Sequence, residues 1–209
     1  MQHLYDADYY LDGVRTKKSC YENYRWLPET SLPMTKRLVE VLGIQPGETL
    51  LDFGCARGYT VRALREIGME AFGYDISKWA IENCDPSVRS YVSNDFGGTV
   101  QDYVFCKDCA EHIAEDELKR IVNLLLLSTR KALLFIVPLA KERDGDYVRY
   151  EDNLDATHII RWTLQDWRDF FLDAALPAFR VWPFYHIEGL KPTSATCAKS
   201  CGFLLLQRT

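Results

Sequence analysis

The sequence predicts an α/β fold, a mainly parallel sheet with helices on both faces, and three observations carry that expectation. The stretch Leu50 to Ile76, LLDFGCARGYTVRALREIGMEAFGYDI, reads as strand, tight turn, helix, strand. Apolar runs of strand length and stretches of helical period then alternate as far as Val137, and crossovers of that length lay helices across the faces of a parallel sheet. The strand runs are almost wholly apolar rather than alternating, as expected of strands covered on both sides.

Taken in order, residues 1 to 28 form a polar stretch punctuated by Tyr5, Tyr9, Tyr10, Tyr21, Tyr24 and Trp26, without clear periodicity. They read as an arm whose rings either pack it onto the domain or line a ligand pocket. Glu29 to Leu42 reads as a helix, with Leu38, Val39, Val41 and Leu42 on its apolar stripe and Gly43 at its end. After the opening strand and turn, Val61, Leu64, Arg65 and Ile67 fall at helical spacing up to Gly68, and Met69 to Tyr74 is the second strand, ending on Asp75. Ser77 is placed to cap a short helix carrying Trp79, a ring suited either to packing or to flanking a bound base.

Val88 to Val92 and Tyr103 to Cys106 read as the third and fourth strands, Glu115 to Leu127 as a helix, and Lys131 to Val137 as a buried strand. Residues 138 to 162 are long and polar with no obvious strand, the profile of a lid. Thr163 to Ala175 returns to helix with Thr163 as its cap, and Val181 to Ile187 and Phe203 to Gln207 read as the last two strands.

The chain suits one domain, residues 1 to 209. A net charge of -5 argues against an extended nucleic-acid or anionic-membrane surface. The N-terminus has no basic segment followed by an apolar one, the longest apolar runs are too short to span a bilayer, and the seven cysteines are odd in number and scattered. A cytoplasmic protein with reduced thiols is the expectation. Cys106, Cys109, Cys197 and Cys201 could together close a zinc site, but the Cys197 to Cys201 spacing is wide, and no metal is expected.

Asp75, closing the second strand, can accept two hydrogen bonds from a ribose diol, so a nucleoside should lie across the opening unit. Charge discriminates between nucleosides. A dinucleotide site wants G-x-G-x-x-G, whereas here Gly54, Ala56 and Gly58 are followed by Tyr59, and Asp52 adds a negative charge that repels phosphate but suits a sulfonium and an ammonium. At these residues the sequence resembles the class I S-adenosylmethionine-dependent methyltransferases, in which D/E-x-G-x-G/A-x-G ends the first strand. Further stretches resemble the family: Ser93-Asn94-Asp95-Phe96, its adenine-contacting turn; Glu111-His112-Ile113 after the fourth strand; Asp155-Ala156-Thr157-His158; and Thr163-Leu164 before the next helix.

The resemblance implies a Rossmann-like seven-stranded, mainly parallel sheet closed by a C-terminal antiparallel hairpin. It also implies S-adenosylmethionine as cofactor, held by Asp52, Gly54, Cys55, Ala56, Gly58, Asp75, Ile76, Asp95, Phe96 and Cys106, and transfer of its methyl group to a small-molecule acceptor. His112 and His158 are the candidate bases, because imidazoles titrate near neutrality and both should end at the ligand edge. The competing readings are a nicotinamide- or nucleotide-sugar-binding oxidoreductase, and a cofactor-binding protein without catalysis.

Overall fold

The computed structural model describes residues 2–191 and 199–209. Short helices α1 (Ala7–Leu11) and α2 (Gly13–Thr16) occupy the arm, and α3 (Pro28–Leu42) leads into β1 (Thr49–Phe53), α4 (Tyr59–Glu66), β2 (Glu70–Tyr74) and α5 (Lys78–Glu82). There follow β3 (Val92–Ser93), β4 (Gln101–Lys107), α6 (Glu115–Leu127), β5 (Thr129–Pro138), α7 (Leu164–Ala174), β6 (Phe179–Phe184) and β7 (Cys201–Arg208).

The seven strands form one sheet in the order β3-β2-β1-β4-β5-β7-β6. Neighbours from β3 to β5 pair in parallel, and β7 runs antiparallel to both β5 and β6. The order reverses between β1 and β4, and in open sheets of this kind ligands bind beyond the strand ends at such a reversal. Expectation and structure agree on the fold class and on the hairpin.

Alternation along the strands divides the interior in two. Leu50, Tyr103 and Phe105 face the side covered by α3 and α4, with Leu38, Val61 and Leu64. Leu51, Phe53, Val104 and Cys106 face the other side, with Leu118 and Val122 of α6 and Trp167 and Phe171 of α7. Local chemistry fixes the helix ends. Gly43 closes α3 in the left-handed region at φ 68°, Ser77 Oγ accepts the Ala80 N–H at 3.0 Å, and Thr163 and Asp166 cap α7 reciprocally.

Two strands lie elsewhere than the sequence suggests. β3 is only Val92–Ser93, because Asp85 accepts the Ser87 N–H and Pro86, with its fixed φ, starts a 3-10 turn through Val88. β6 is displaced toward the N-terminus, to Phe179–Phe184, because its partner β7 pairs Arg208 with Phe179 and Phe203 with Phe184. Pro183 is tolerated there because β6 is an edge strand. Residues 138 to 162 hold a bridge between Ala140 and Tyr147 and a 3-10 turn, Tyr150–Leu154, with Tyr147, Asp155, Ile160 and Trp162 buried. No helix among the described residues is long and apolar enough to cross a membrane.

Candidate active site

A cavity of about 540 Å³ opens beyond the ends of β1, β2 and β4. Its floor is the turn after β1, where Gly54, Ala56 and Gly58 all take positive φ, at 84°, 49° and 78°. At Gly54 the lack of a side chain matters twice, since a Cβ would stand 2.5 Å from Cys109 Sγ. The missing side chain makes room for Cys109, so the turn and the segment after β4 close together on the cavity floor.

Two carboxylates flank the turn. Asp75 is buried and accepts the Ala56 N–H and the Ser77 N–H, each at 2.7 Å. Burial raises its pKa, and these two backbone donors oppose the rise. Asp52 is buried as well, and its pKa is pushed up to about 7, chiefly by burial, with the Lys107 ammonium pulling it back down and Asp75 adding to the rise.

Of the residues expected to hold the cofactor, Asp52, Gly54, Cys55, Ala56, Asp75, Ile76 and Phe96 line this cavity together. Gly58, Asp95 and Cys106 do not. Gly58 is the N-cap of α4, with the Val88 and Val92 side chains against its Cα. Asp95 is exposed and accepts the Gly97 N–H within its own turn. Cys106 points into the core beneath α6, because strand alternation sets its side chain on that face. Trp79 stacks on Tyr10 at 5.5 Å and belongs to the packing of the arm. Cys197 falls outside the described residues, so the four-cysteine arrangement is not described here.

The arm roofs the cavity. Tyr5, Tyr9, Tyr10, Tyr21 and Tyr24 all line it, and the same rings pack on one another and on Ala80, so they both dock the arm and wall the cavity. Tyr9 and Tyr10 meet at 5.1 Å in a T-shaped pair, and Tyr9 and Tyr21 meet edge-on at 5.8 Å. Ser77 Oγ donates to the Tyr5 carbonyl and the Tyr9 hydroxyl to Asp155 Oδ2 at 2.8 Å, which ties the arm to both α5 and the 138 to 162 segment.

The two histidines are separated by function of place. His112 lines the cavity, while His158 sits behind it, with ring centroids 4.6 Å apart. Burial, reinforced by His158, lowers the His112 pKa to about 4, so its ring is neutral near pH 7. Glu111 is fully buried next to both, and burial, reinforced by Asp108, raises its pKa well above the usual range.

Lys107 and Asp108 also line the cavity wall; the sequence places the stretch Cys106 to His112 at this edge but gives neither residue a role. Asp108 bridges Lys107 Nζ at 2.7 Å and Lys191 Nζ at 2.5 Å. Its burial opposes ionisation, but the two ammonium groups outweigh that and hold its pKa low. The strand-end position of Lys107-Asp108-Cys109 was the available signal; the contribution of Lys191, 83 residues on, left none.

With this cavity at the sheet's reversal point, the chain can be compared with known proteins. The model of a methyltransferase domain family matches residues 26–176. This chain belongs to that family. No curated protein sequence matches it significantly.

The methyltransferase is similar in fold to magnesium protoporphyrin IX methyltransferase from Synechocystis PCC 6803 with bound S-adenosylmethionine. That match has a TM-score of 0.63 at 14% identity, covering 100% of this chain and 97% of the other. A SAM-dependent methyltransferase from Archaeoglobus fulgidus gives a TM-score of 0.63 at 16% identity, over 83% and 92% of the two chains. A Haloferax volcanii methyltransferase, solved with its Trm112 activator, gives 0.59 at 16%, over 86% and 90%. The resemblance to class I S-adenosylmethionine-dependent methyltransferases is thus borne out, with the cofactor that it implies, and the oxidoreductase reading is set aside.

Proposed function

We propose that this methyltransferase transfers a methyl group from S-adenosylmethionine to a small-molecule acceptor enclosed beneath the tyrosine arm. The observation that carries the reading is the pair Asp52 and Asp75 on either side of the turn that Gly54 opens, within a cavity lined by five tyrosines of the arm. Asp75 would receive the ribose hydroxyls, since each of its oxygens keeps lone-pair capacity beyond its one backbone donor. Asp52 would face the cationic end of the cofactor, which supplies the counter-charge that its raised pKa indicates is scarce. Cys55 and Ala56 continue the cradle that Gly54 opens. Ile76 and Phe96, with Asp95 next to Phe96 in sequence, would bound the adenine end, Gly58 would close the turn at the start of α4, and Cys106 would back the site from the core.

When bound, the cofactor supplies an electrophilic methyl group. The protein's part is to align a nucleophile and exclude water. The tyrosine roof and the segment containing Asp155 would do the excluding, and His112 is the candidate base because it lines the cavity, with His158 behind it. The size of the cavity supports a small acceptor over a folded macromolecule.

Calorimetric titration with S-adenosylmethionine, its demethylated product and NAD tests the cofactor, with binding of the first two and not the third expected. A screen of hydroxyl, amine and carbon acceptors with labelled S-adenosylmethionine then tests the acceptor class. Labelling of RNA or protein in preference to every small molecule would overturn that part of the reading.

A further inference from the structure

Behind the cavity wall, Glu111, His112 and His158 each place one potential ligand atom within 4.8 Å of the others. Glu111 is fully buried, yet neither of its carboxylate oxygens has a hydrogen-bond partner. A buried carboxylate in that state is among the least tolerable groups in a protein interior.

The protons of the two imidazoles can be placed from their neighbours. His158 Nδ1 lies 2.7 Å from the Asp152 carbonyl oxygen, which only accepts, so Nδ1 carries the hydrogen and Nε2 is a bare lone pair. His112 Nδ1 lies 2.8 Å from Thr157 Oγ1. That hydroxyl donates its one hydrogen to Asp155 Oδ1 at 2.6 Å, so it accepts from His112 Nδ1–H, and His112 Nε2 is bare too. Both bare nitrogens face Glu111 Oε1, at 4.0 Å from His112 and 3.8 Å from His158.

With Glu111 ionised, as a metal ligand must be, these three acceptors have no hydrogen between them, and they are too far apart for a hydrogen bond. Around an ion bound at about 2.1 Å, ligand atoms stand about 3.0 to 3.4 Å apart, so the two pairs at 3.8 and 4.0 Å need to close by about 1 Å or less and no pair by more than about 1.8 Å. The partners of the two Nδ1 atoms are of the kind that orient metal-bound histidines.

We propose that Glu111 Oε1, His112 Nε2 and His158 Nε2 bind one divalent transition-metal ion. Two imidazoles with a single carboxylate select Zn²⁺, Co²⁺ or Mn²⁺ over Mg²⁺, which prefers an all-oxygen shell. Three protein ligands leave a further coordination position. Because His112 is also part of the cavity wall, an ion it holds would lie next to the cavity, and we take an acceptor oxygen as the further ligand. This last step rests on the proposed methyl transfer, and in it the two histidines serve as ligands while the ion lowers the pKa of the acceptor hydroxyl. The ion site itself does not depend on the cofactor.

The test uses the full chain, stripped with a chelator and dialysed. Calorimetry should show about one equivalent of Zn²⁺ bound, with Mg²⁺ at least about 100-fold weaker. Co²⁺ should give visible bands of a nitrogen and oxygen shell. Glu111→Gln and His158→Asn should each weaken Zn²⁺ binding at least about tenfold, as loss of a ligand should exceed loss of an orienting partner. In metal-free protein Glu111→Gln should also raise Tm, because an amide N–H can donate to a bare Nε2. Should these variants not fold, the Co²⁺ spectrum of the wild-type chain still decides. Stoichiometry below about 0.2, unchanged affinity in folded ligand variants, or an intense thiolate-to-cobalt band placing the ion on cysteine would each overturn the site. S-adenosylmethionine titrated into the metal-free chain reads the proposed function separately, so either can fail alone.

Discussion

Asp75 at the end of β2 accepts the backbone N–H of Ala56, nineteen positions earlier, at 2.7 Å. Its other oxygen accepts the Ser77 N–H at 2.7 Å. One side chain therefore shapes the turn under the cavity and anchors the start of α5, while remaining available to a ribose. Asp75→Asn should damage both roles, since one oxygen becomes an amide N–H₂ pointed at a backbone donor. A charged hydrogen-bond partner is worth about 1.5 to 3 kcal/mol, so Tm should fall and S-adenosylmethionine Kd rise at least about tenfold. A Kd within about twofold of wild type would remove Asp75 from the binding site.

Backbone conformation in the same turn gives a contrast between two small residues. Ala56 is held at φ 49°, where a Cβ is strained, and Ala56→Gly should relieve roughly 1 to 2 kcal/mol, offset by up to about 1 kcal/mol of added chain entropy. A rise in Tm of about 1 to 3 °C is expected. Gly54→Ala should do the opposite, combining φ 84° with a Cβ 2.5 Å from Cys109 Sγ, and lose at least about 1 to 3 kcal/mol. Thermal melts of the two variants moving in the same direction would contradict the account of the turn.

The contrast between what could and could not be read from the sequence follows the range of the interactions. Gly43, Ser77 and Thr163 announce helix ends through contacts within a few residues, and they fall where expected. Cys106 ends a strand at the ligand edge in sequence, while the strand's alternation turns its side chain into the core. β3 shrinks because the turn that Asp85-Pro86 starts runs into Val88, the first residue of the expected strand. Asp108 with Lys191, and Glu111 with His158, join residues 83 and 47 positions apart, and neither pairing has a periodic or spacing signal.

Asp52 gives the site a pH dependence with a defined sign. Its folded pKa of about 7 lies above the usual 3.8, so the folded chain holds a proton that the unfolded chain has already released. Stability from this group should therefore be greatest below about pH 4, fall as pH rises to about 7, and be level above. A cation beside Asp52 favours its ionised form. S-adenosylmethionine affinity should accordingly increase up to about pH 7, with proton release on binding at slightly acid pH, visible as a buffer-dependent calorimetric enthalpy. Asp52→Asn should remove the proton release. Equal enthalpies in buffers of different ionisation heat, for the wild-type protein, would count against Asp52 as the group beside the cation.

The arm and the 138 to 162 segment meet at Asp155, and that contact sets how the cavity can open. Asp155 is buried; its Oδ2 accepts the Tyr9 hydroxyl at 2.8 Å, and its Oδ1 accepts the Thr157 N–H and hydroxyl. The Ala156 N–H adds a backbone bond to the Lys18 carbonyl at 3.2 Å. If arm and segment close over ligand together, Tyr9→Phe should loosen both, because it leaves a buried oxygen of Asp155 without its phenolic donor. The cost is about 1 to 3 kcal/mol, and it falls on the docked state of the arm rather than on the sheet. Backbone amides of residues 5 to 24 and 147 to 160 should then exchange faster with solvent deuterium in Tyr9→Phe, while those of β1, β4 and β5 keep their protection. Adding S-adenosylmethionine should restore much of the lost protection if the closed roof is part of the bound state. Faster exchange confined to the arm, with the segment as protected as in wild type, would show that the two move independently and that Asp155 does not couple them.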